Sequence, residues 1–236
     1  MNQLIPTGTL RAGVAFAPSP SPLFVLKDAG GTARGVTVDL ANALGEKLGA
    51  PVEFFVAPNT GQLTDALEAG RIDVSFMPVD EERKKRIDFG PAYFLVESTY
   101  MATAASGITK VGEVDRPGVR VVGIANTTTI RAAERSLKHT TIQAAPSIGD
   151  AMALIKGGQA DAFALSRDAF PPYVAQVPGA RVVEGGFQQT GVAIAVPKGR
   201  PQALAYVSAF LEEAKRDGTV RRAFDVAGLT GLEVAP

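Results

Sequence analysis

The hydrophobic period of this chain switches back and forth along its length: short apolar, β-branched runs alternate with amphipathic stretches of helical length. A helical period does not settle as a strand, nor a strand period as a helix, so the alternation restricts the chain to α/β units with largely parallel strands. Strands are predicted at residues 9–16, 51–57, 71–77, 98–104, 119–125, 141–144, 160–165, 181–184 and 191–196. Helices are predicted near 37–49, 60–69, 80–86, 127–138, 147–157, 166–176 and 200–216. Ser147 with Asp150 reads as a capping box, because a hydroxyl and a carboxylate three residues on satisfy exposed helix N–H groups, and Gly157-Gly158 follows as a stop. Asn59, Gln62 and Gly70 repeat that grammar.

The repetition goes further. Ala66-Leu67-Glu68-Ala69-Gly70-Arg71-Ile72-Asp73-Val74 is echoed by Leu154-Ile155-Lys156-Gly157-Gly158-Gln159-Ala160-Asp161-Ala162, in each case a helix end, a glycine turn and a strand. Two similar α/β lobes are the expectation. No Gly/Ser-rich or Pro-rich linker separates the halves. The Pro-dense stretch Pro18-Ser19-Pro20-Ser21-Pro22 is expected to shape a loop after the first strand, either as a pocket wall or as a rigid surface loop.

Composition removes several classes of function. A chain of 236 residues with 46% hydrophobic and 20% charged residues has the make-up of one or two compact units with a real core. Its 24 Lys plus Arg balance 24 Asp plus Glu, so no net field attracts a polyanion or an anionic membrane, and nucleic acid is not an expected partner. The absence of Cys excludes disulfides, thiolate zinc sites, iron–sulfur clusters and thiol nucleophiles. No apolar run approaches the ~20 residues that span a bilayer. The start Met-Asn-Gln-Leu-Ile-Pro lacks the basic segment and apolar stretch of a secretory signal, which leaves a cytoplasmic protein or one whose signal has been removed.

The order of short segments resembles a known family. Gly8-Thr9-Leu10-Arg11-Ala12-Gly13-Val14 comes first, then Gly35-Val36-Thr37-Val38-Asp39-Leu40-Ala41 through Lys47-Leu48-Gly49. Gly70-Arg71-Ile72-Asp73-Val74 and Glu82-Arg83-Lys84-Lys85-Arg86-Ile87-Asp88-Phe89 follow. Val121-Val122-Gly123-Ile124 with Thr128-Thr129, Gly158 to Ala162 and Val192 to Gly199 complete the series. Together, over about residues 8–227, they resemble the solute-binding proteins of bacterial polar amino-acid ABC importers, extracellular solute-binding protein family 3.

The resemblance implies a type II periplasmic-binding-protein fold: α/β, two-lobed and hinged, each lobe a mixed, mostly parallel sheet flanked by helices, closing on a small ligand. Lobe one is then residues 1–92 plus 193–236 and lobe two 98–187, with hinges near 93–97 and 188–192. It further implies a periplasmic monomer that uses no cofactor and no metal, captures a small carboxylate-bearing ligand and delivers it to an inner-membrane ABC permease.

Arg83 is the leading site residue. A guanidinium offers a planar fork to both oxygens of a carboxylate, and in the family the Arg at this spot holds the ligand's α-carboxylate. The competing reading is that Asp80-Glu81-Glu82-Arg83-Lys84-Lys85-Arg86 is a solvated helix face. Thr128 and Thr129 stand at a predicted helix start, either to receive an anionic group or to cap the helix. Asn126 replaces a residue the family keeps small, and Thr127 stands where it usually has Gly.

Further departures concern the amine. Ser166 occupies the position of an Asp that pairs with the ligand ammonium in family members, and a hydroxyl hydrogen-bonds an ammonium without neutralising it. Asp168, about 200° further round a helix, is expected to face elsewhere. Thr60, beside Asn59, stands where the family commonly has a stacking aromatic. Phe76-Met77-Pro78 replaces a segment that often ends in Gly-x-Thr, and a proline offers no N–H. Phe16, Phe76 and Met77 are candidates for an apolar wall or for the core. Gln188, Gln189 and Thr190 lie at the second crossing, facing the ligand or solvent. The ligand expected is a small carboxylate whose amine, if present, is held in an unusual way.

Catalytic signatures are not found: no G-x-S-x-G, H-E-x-x-H, Walker loop or G-x-G-x-x-G turn is present, and no catalytic residue is assigned. His139, the only histidine, reads as a surface residue and cannot alone build a multi-histidine metal site. Two alternatives stand beside the binding protein. One is a dehydratase-like enzyme using Asp73, Asp80, Asp88 or Asp161 on a small carboxylate; the other is a ligand-sensing domain.

Overall fold

The computed structural model describes residues 3–16 and 21–236. The middle of the Pro-dense loop expected after the first strand, Pro18, Ser19 and Pro20, lies outside the described residues. In chain order the leading elements are β1 Leu10–Ala15, β2 Leu26–Lys27, β3 Ala33–Arg34, α1 Val36–Leu48, β4 Val52–Ala57, α2 Thr60–Glu68, β5 Val74–Pro78 and α3 Glu81–Lys84. Next come the long β6 Ile87–Ala102, β7 Val121–Ile124, α4 Thr128–Ser136, β8 Ile142–Ala145, α5 Ile148–Lys156 and β9 Ala162–Ser166. The series ends with α6 Pro171–Val174, β10 Arg181–Val182, β11 Gln188–Pro197, α7 Pro201–Arg216 and α8 Thr219–Val226. The chain divides into two compact units, Met1–Leu95 with Gly191–Pro236, and Val96–Thr190.

The first unit carries a sheet in the order β4-β1-β5-β11. β1 runs parallel to β4, Leu10 opposite Val52, and parallel to β5, Ala12 opposite Val74; β11 returns antiparallel to β5, Val192 opposite Pro78. β1 is apolar at nearly every position and buried at all but Arg11, as a strand covered on both faces must be. Leu63, Ala66 and Leu67 of α2 close on Ala15, Ala57, Met77 and Ala195. Each fully buried side chain of the Leu or Val kind contributes about 1.5–3 kcal/mol. Gly13 permits this approach: a Cβ there would lie 2.5 Å from Ile72 Cδ1 and 2.8 Å from Leu63 Cδ2.

In the second unit the far end of β6 pairs antiparallel with β9, Ser98 opposite Ser166, and β7 lies parallel between β9 and β8. Alternation sends neighbouring residues to opposite faces. Val122, Phe163 and Leu165 pack on one side with Met152 and Ile155 of α5. Val121, Ala162 and Ala164 pack on the other with Ala133 of α4. Gly123 repeats the role of Gly13, since its Cβ would stand 2.8 Å from Ile142 Cδ1.

The sequence echo becomes a repeated ion pair. Arg11 donates from Nε to Asp73 Oδ2 at 2.8 Å and from Nη2 to Oδ1 at 2.6 Å. Arg120 treats Asp161 in the same way, at 3.0 and 2.7 Å, and in both cases the arginine's own backbone N–H also reaches the carboxylate. Each pair ties the start of a strand, β1 or β7, to the turn before the parallel strand beside it, β5 or β9.

Several element expectations are revised. The helix expected over 166–176 is a 3-10 turn, Arg167–Ala169, followed by the single turn of α6, because Pro171 and Pro172 lack the N–H groups that a continuous helix needs. The strand expected at 98–104 is the end of the sixteen-residue β6, and the helix expected over 80–86 is the four-residue α3. The strand expected at 71–77 starts only at Val74, because Arg71 still donates its N–H to Ala66 O in the preceding turn. The β2–β3 hairpin and α8 are additional. The hairpin is two residues a side, too short for a period, and α8 follows Gly218 at φ 81°.

Candidate functional site

Parallel strands place their carboxyl ends on one edge of a sheet, and the loops that leave that edge are where α/β proteins bind ligands. In the first unit those loops follow β1, β4 and β5. They carry Phe16, the pair Asn59 and Thr60, and the stretch from Pro78 to Arg83. Asn59 caps α2, its side-chain oxygen accepting from Gln62 N–H at 2.9 Å. Asp80 caps α3, its carboxylate accepting from the N–H groups of Glu82 and Arg83 at 3.1 and 3.3 Å.

That cap sets the direction of Arg83. Glu81, Glu82, Lys84 and Lys85 are exposed and form two i,i+3 ion pairs, whereas Arg83 is only 6% exposed. Its Nη1 donates to Pro78 O at 2.9 Å and its Nη2 to Thr60 Oγ1 at 2.5 Å. Two bonds to groups on different loops fix the plane of the guanidinium at the carboxyl edge of the sheet. From Glu81 to Arg86 the charge run is therefore a solvated face at every position but Arg83.

Phe16 is half-buried at the end of β1, its N–H donating to Ala57 O at 3.1 Å, with Lys27 Nζ 5.7 Å from the ring centroid. Phe76 and Met77 are fully buried. Phe76 meets Tyr93 edge-on, and Met77 packs within the α2 core with its sulfur 3.8 Å from Thr64 Oγ1. β5 is a central strand covered on both faces, so of the three apolar candidates Phe16 alone keeps accessible surface.

In the second unit the corresponding loops follow β7 and β9. Thr127, the residue before the two threonines picked from the sequence, caps α4: its hydroxyl oxygen accepts from Ile130 N–H at 3.2 Å and its proton goes to Ile124 O at 2.8 Å. Thr128 and Thr129 are the first two helical residues. Asn126 has φ 62°, the one non-glycine residue with positive φ among the described residues, a conformation that Asn tolerates better than most. Thr129 Oγ1 lies 3.3 Å from Oγ of Ser98, a residue 2% exposed and directly opposite Ser166 in the β6–β9 register.

Ser166 ends β9 and is half-buried. Asp168, two residues on, is exposed; partial desolvation nonetheless pushes its carboxyl above the usual range, with Ser166 opposing the shift. Asp168 was expected to face away from Ser166. A 3-10 turn, Arg167–Ala169, stands there in place of the expected α-helix, and Asp168 is exposed on it. Arg167, between them, turns the other way, pairing with Glu97 and donating to Gly185 O at 2.9 Å. Of the residues at the second crossing, Gln189 is exposed, while Gln188 Oε1 and Thr190 Oγ1 are buried without a hydrogen-bond partner.

Ser98 is a residue near these loops that sequence reasoning missed. Ser98 sits in an apolar strand whose period says nothing of its neighbours across the sheet. Asp168 is placed by the type of turn that two downstream prolines allow.

Among the described residues no three or more His, Cys, Asp or Glu side chains come together as a metal group, and no helix is long and apolar enough to cross a membrane. His139 is exposed, its Nδ1 3.1 Å from Asp115 Oδ2. A surface pocket of about 290 Å³ between α1 and α7, lined by Ala43, Lys47, Phe210, Glu213 and Asp217, shares no residue with the groups above.

Comparison with known proteins places these observations. The chain is 25% identical over 154 residues to the ABC transporter glutamine-binding protein GlnH of Bacillus subtilis, a match covering 64% of this chain and 56% of that protein. It is 26% identical over 187 residues to a glutamine-binding protein of Geobacillus stearothermophilus, covering 77% and 70%. Among solved structures, an ancestral amino acid-binding protein, AncCDT-1, described as a precursor of cyclohexadienyl dehydratase, superposes with a TM-score of 0.74 at 30% identity, covering 95% of this chain and 97% of that one. The α/β architecture with mixed, mostly parallel sheets is the type II periplasmic-binding-protein fold expected from the sequence. The model of the bacterial extracellular solute-binding proteins, family 3, matches residues 13–226, and the chain belongs to that family.

Proposed function

We propose that this protein is the solute-capturing component of an ABC importer and that its ligand is a small molecule bearing a carboxylate, an amino acid or a related organic acid. The observation that carries the reading is Arg83: a guanidinium almost removed from water, oriented by Thr60 and Pro78 at the carboxyl edge of the first unit's sheet. A planar cation in such a place is suited to a bidentate carboxylate. Phe16 supplies apolar surface beside it, with Asn59 and Thr60 shaping the rim and Met77 supporting it from the core. In the second unit Asn126, Thr128, Thr129 and Ser166, with Gln189 on β11, are the polar groups we assign to ligand contact. The glutamine-binding relatives and the amino acid-binding structure support an amino acid or a close analogue.

The protein then works outside the cytoplasm as a monomer, presenting its ligand-bound state to a membrane permease. Titration calorimetry of the wild type and Arg83→Ala against the standard L-amino acids and matching des-amino acids tests the reading. Binding of a carboxylate that Arg83→Ala abolishes is the expected result; binding indifferent to Arg83 overturns it.

A second reading, an enzyme acting on a small carboxylate, draws on the dehydratase named in the description of the ancestral structure and on the raised carboxyl of Asp168. Turnover of the bound ligand, followed by NMR, would favour it; a ligand recovered unchanged favours the transporter component.

A further inference from the structure

We propose that Lys27 is a second cation of the carboxylate site and that the ligand is a dicarboxylic acid, with one acid group on Arg83 and the other on Lys27. The inference rests on the preceding reading and narrows its ligand class from acids in general to diacids.

The first unit's sheet brings the two cations to one edge. β1 pairs with β5 with Gly13 opposite Ser75, and continuing that register sets Phe16 level with Pro78, one strand spacing of about 4.8 Å away. Pro78 O holds Arg83 Nη1, and on the other flank Phe16 N–H reaches Ala57 O, next to the loop of Asn59 and Thr60. Lys27 arrives from the β2–β3 hairpin and sets its Nζ 5.7 Å from the centroid of the Phe16 ring, close enough for the ring to attract it.

The charge of Lys27 is not spent on an acid of the protein. Lys27 enters none of the ion pairs among the described residues. Asp28, the acid beside it in sequence, is turned into its own hairpin, where Oδ1 accepts from the N–H groups of Gly30 and Thr32, both at 2.9 Å. The Phe16 ring holds the ammonium without neutralising it. Arg34, the other cation of the hairpin, is directed elsewhere: Lys27 stands opposite Ala33 and Arg34 opposite Leu26, so alternation sends the two to different faces. Arg83 is a buried planar fork suited to one carboxylate, whereas Lys27 is exposed, a point charge on a four-carbon stem that can follow a second acid group.

The test is calorimetry on the intact protein with diacids and their neutral-ended partners: L-glutamate and L-glutamine, L-aspartate and L-asparagine, and glutaric and succinic acid with their monoamides. The wild type should prefer the diacid of a pair by roughly fivefold or more, a preference that shrinks as salt is raised because Lys27 is exposed. Lys27→Met, which keeps a long stem over Phe16 and removes the charge, should bring the diacid down to the level of its amide while leaving the amide nearly unchanged. Lys27→Arg should keep the preference, and Arg34→Ala should not alter it. A merely structural role would lower both members together. Amides bound as well as diacids, a preference that survives Lys27→Met, both members falling in parallel, or a wild type that binds none of the panel overturns the inference. Arg83→Ala separates the two readings: it should weaken both members of a pair, and if it leaves both intact the carboxylate reading fails, whereas the selectivity of Lys27→Met judges the second contact alone.

Discussion

Arg83 donates through Nη2 to the hydroxyl oxygen of Thr60, 23 residues earlier in the chain, and so joins α3 to the first residue of α2. Thr60→Val removes the acceptor while keeping the shape of the side chain. A hydrogen bond to a charged group is worth about 1.5–3 kcal/mol. We expect a carboxylate ligand to bind roughly tenfold more weakly in this variant, with a melting temperature within a few degrees of wild type. An unchanged affinity by calorimetry would show that Thr60 does not orient the guanidinium.

Arg83→Ala should cost ~2 to 5 kcal/mol of ligand affinity, the range for truncating one partner of a desolvated charge pair. Arg83→Lys keeps the charge and loses the fork, so it should fall between the two. A loss below 1 kcal/mol, roughly the value of a solvent-exposed pair, would place the side chain in water.

The two Arg–Asp pairs should differ in strength. Asp73 is fully buried and Asp161 is 20% exposed, with Arg120 half exposed against 24% for Arg11. Removing the partner of a buried charge costs about 3–5 kcal/mol, whereas exposed pairs are worth ~1 kcal/mol or less. Asp73→Ala should therefore lower stability severalfold more than Asp161→Ala in urea titrations, and equal losses would contradict the difference in burial.

Asp115 accepts the backbone N–H groups of His139, Lys138 and Thr140 and also meets the His139 ring, which together hold its carboxyl down to about 2. A carboxyl depressed in the folded state favours folding above its unfolded value, near 3.9, and that contribution disappears as pH falls through the folded value. Asp115→Asn should accordingly flatten the loss of stability between about pH 4 and 2, read from urea midpoints at stepped pH. A curve parallel to wild type through that window would exclude the role.

Gly13→Ala should destabilise the first unit by about 1–3 kcal/mol, the usual cost of overpacking. The added methyl meets Ile72 and Leu63 inside 3 Å. Thermal melting checks this, and an unchanged midpoint would mean that α2 shifts without penalty.

Some of these relationships were open to reading in one dimension. The alternation of periods, the caps at Asn59 and Ser147 and the helix–glycine–strand echo are local, each set by groups within a few residues, so the α/β architecture and its repeated half were legible in the chain. The inward turn of Arg83 was not. Its neighbours in sequence are all charged, and only the cap at Asp80, the loop carbonyl of Pro78 and a hydroxyl from another helix decide which of these side chains leaves the water. In the same way Met77 is core because β5 is covered on both faces, and the chain after Ser166 tightens into a 3-10 turn because two prolines follow it. Sequence by itself determined the alternation of helices and strands and the starts of capped helices such as α2 and α5, since hydrophobic period and capping act over single turns. Tertiary structure decided which polar groups stand together at the sheet edges, because those contacts join residues far apart in the chain and depend on burial that no short window of sequence contains.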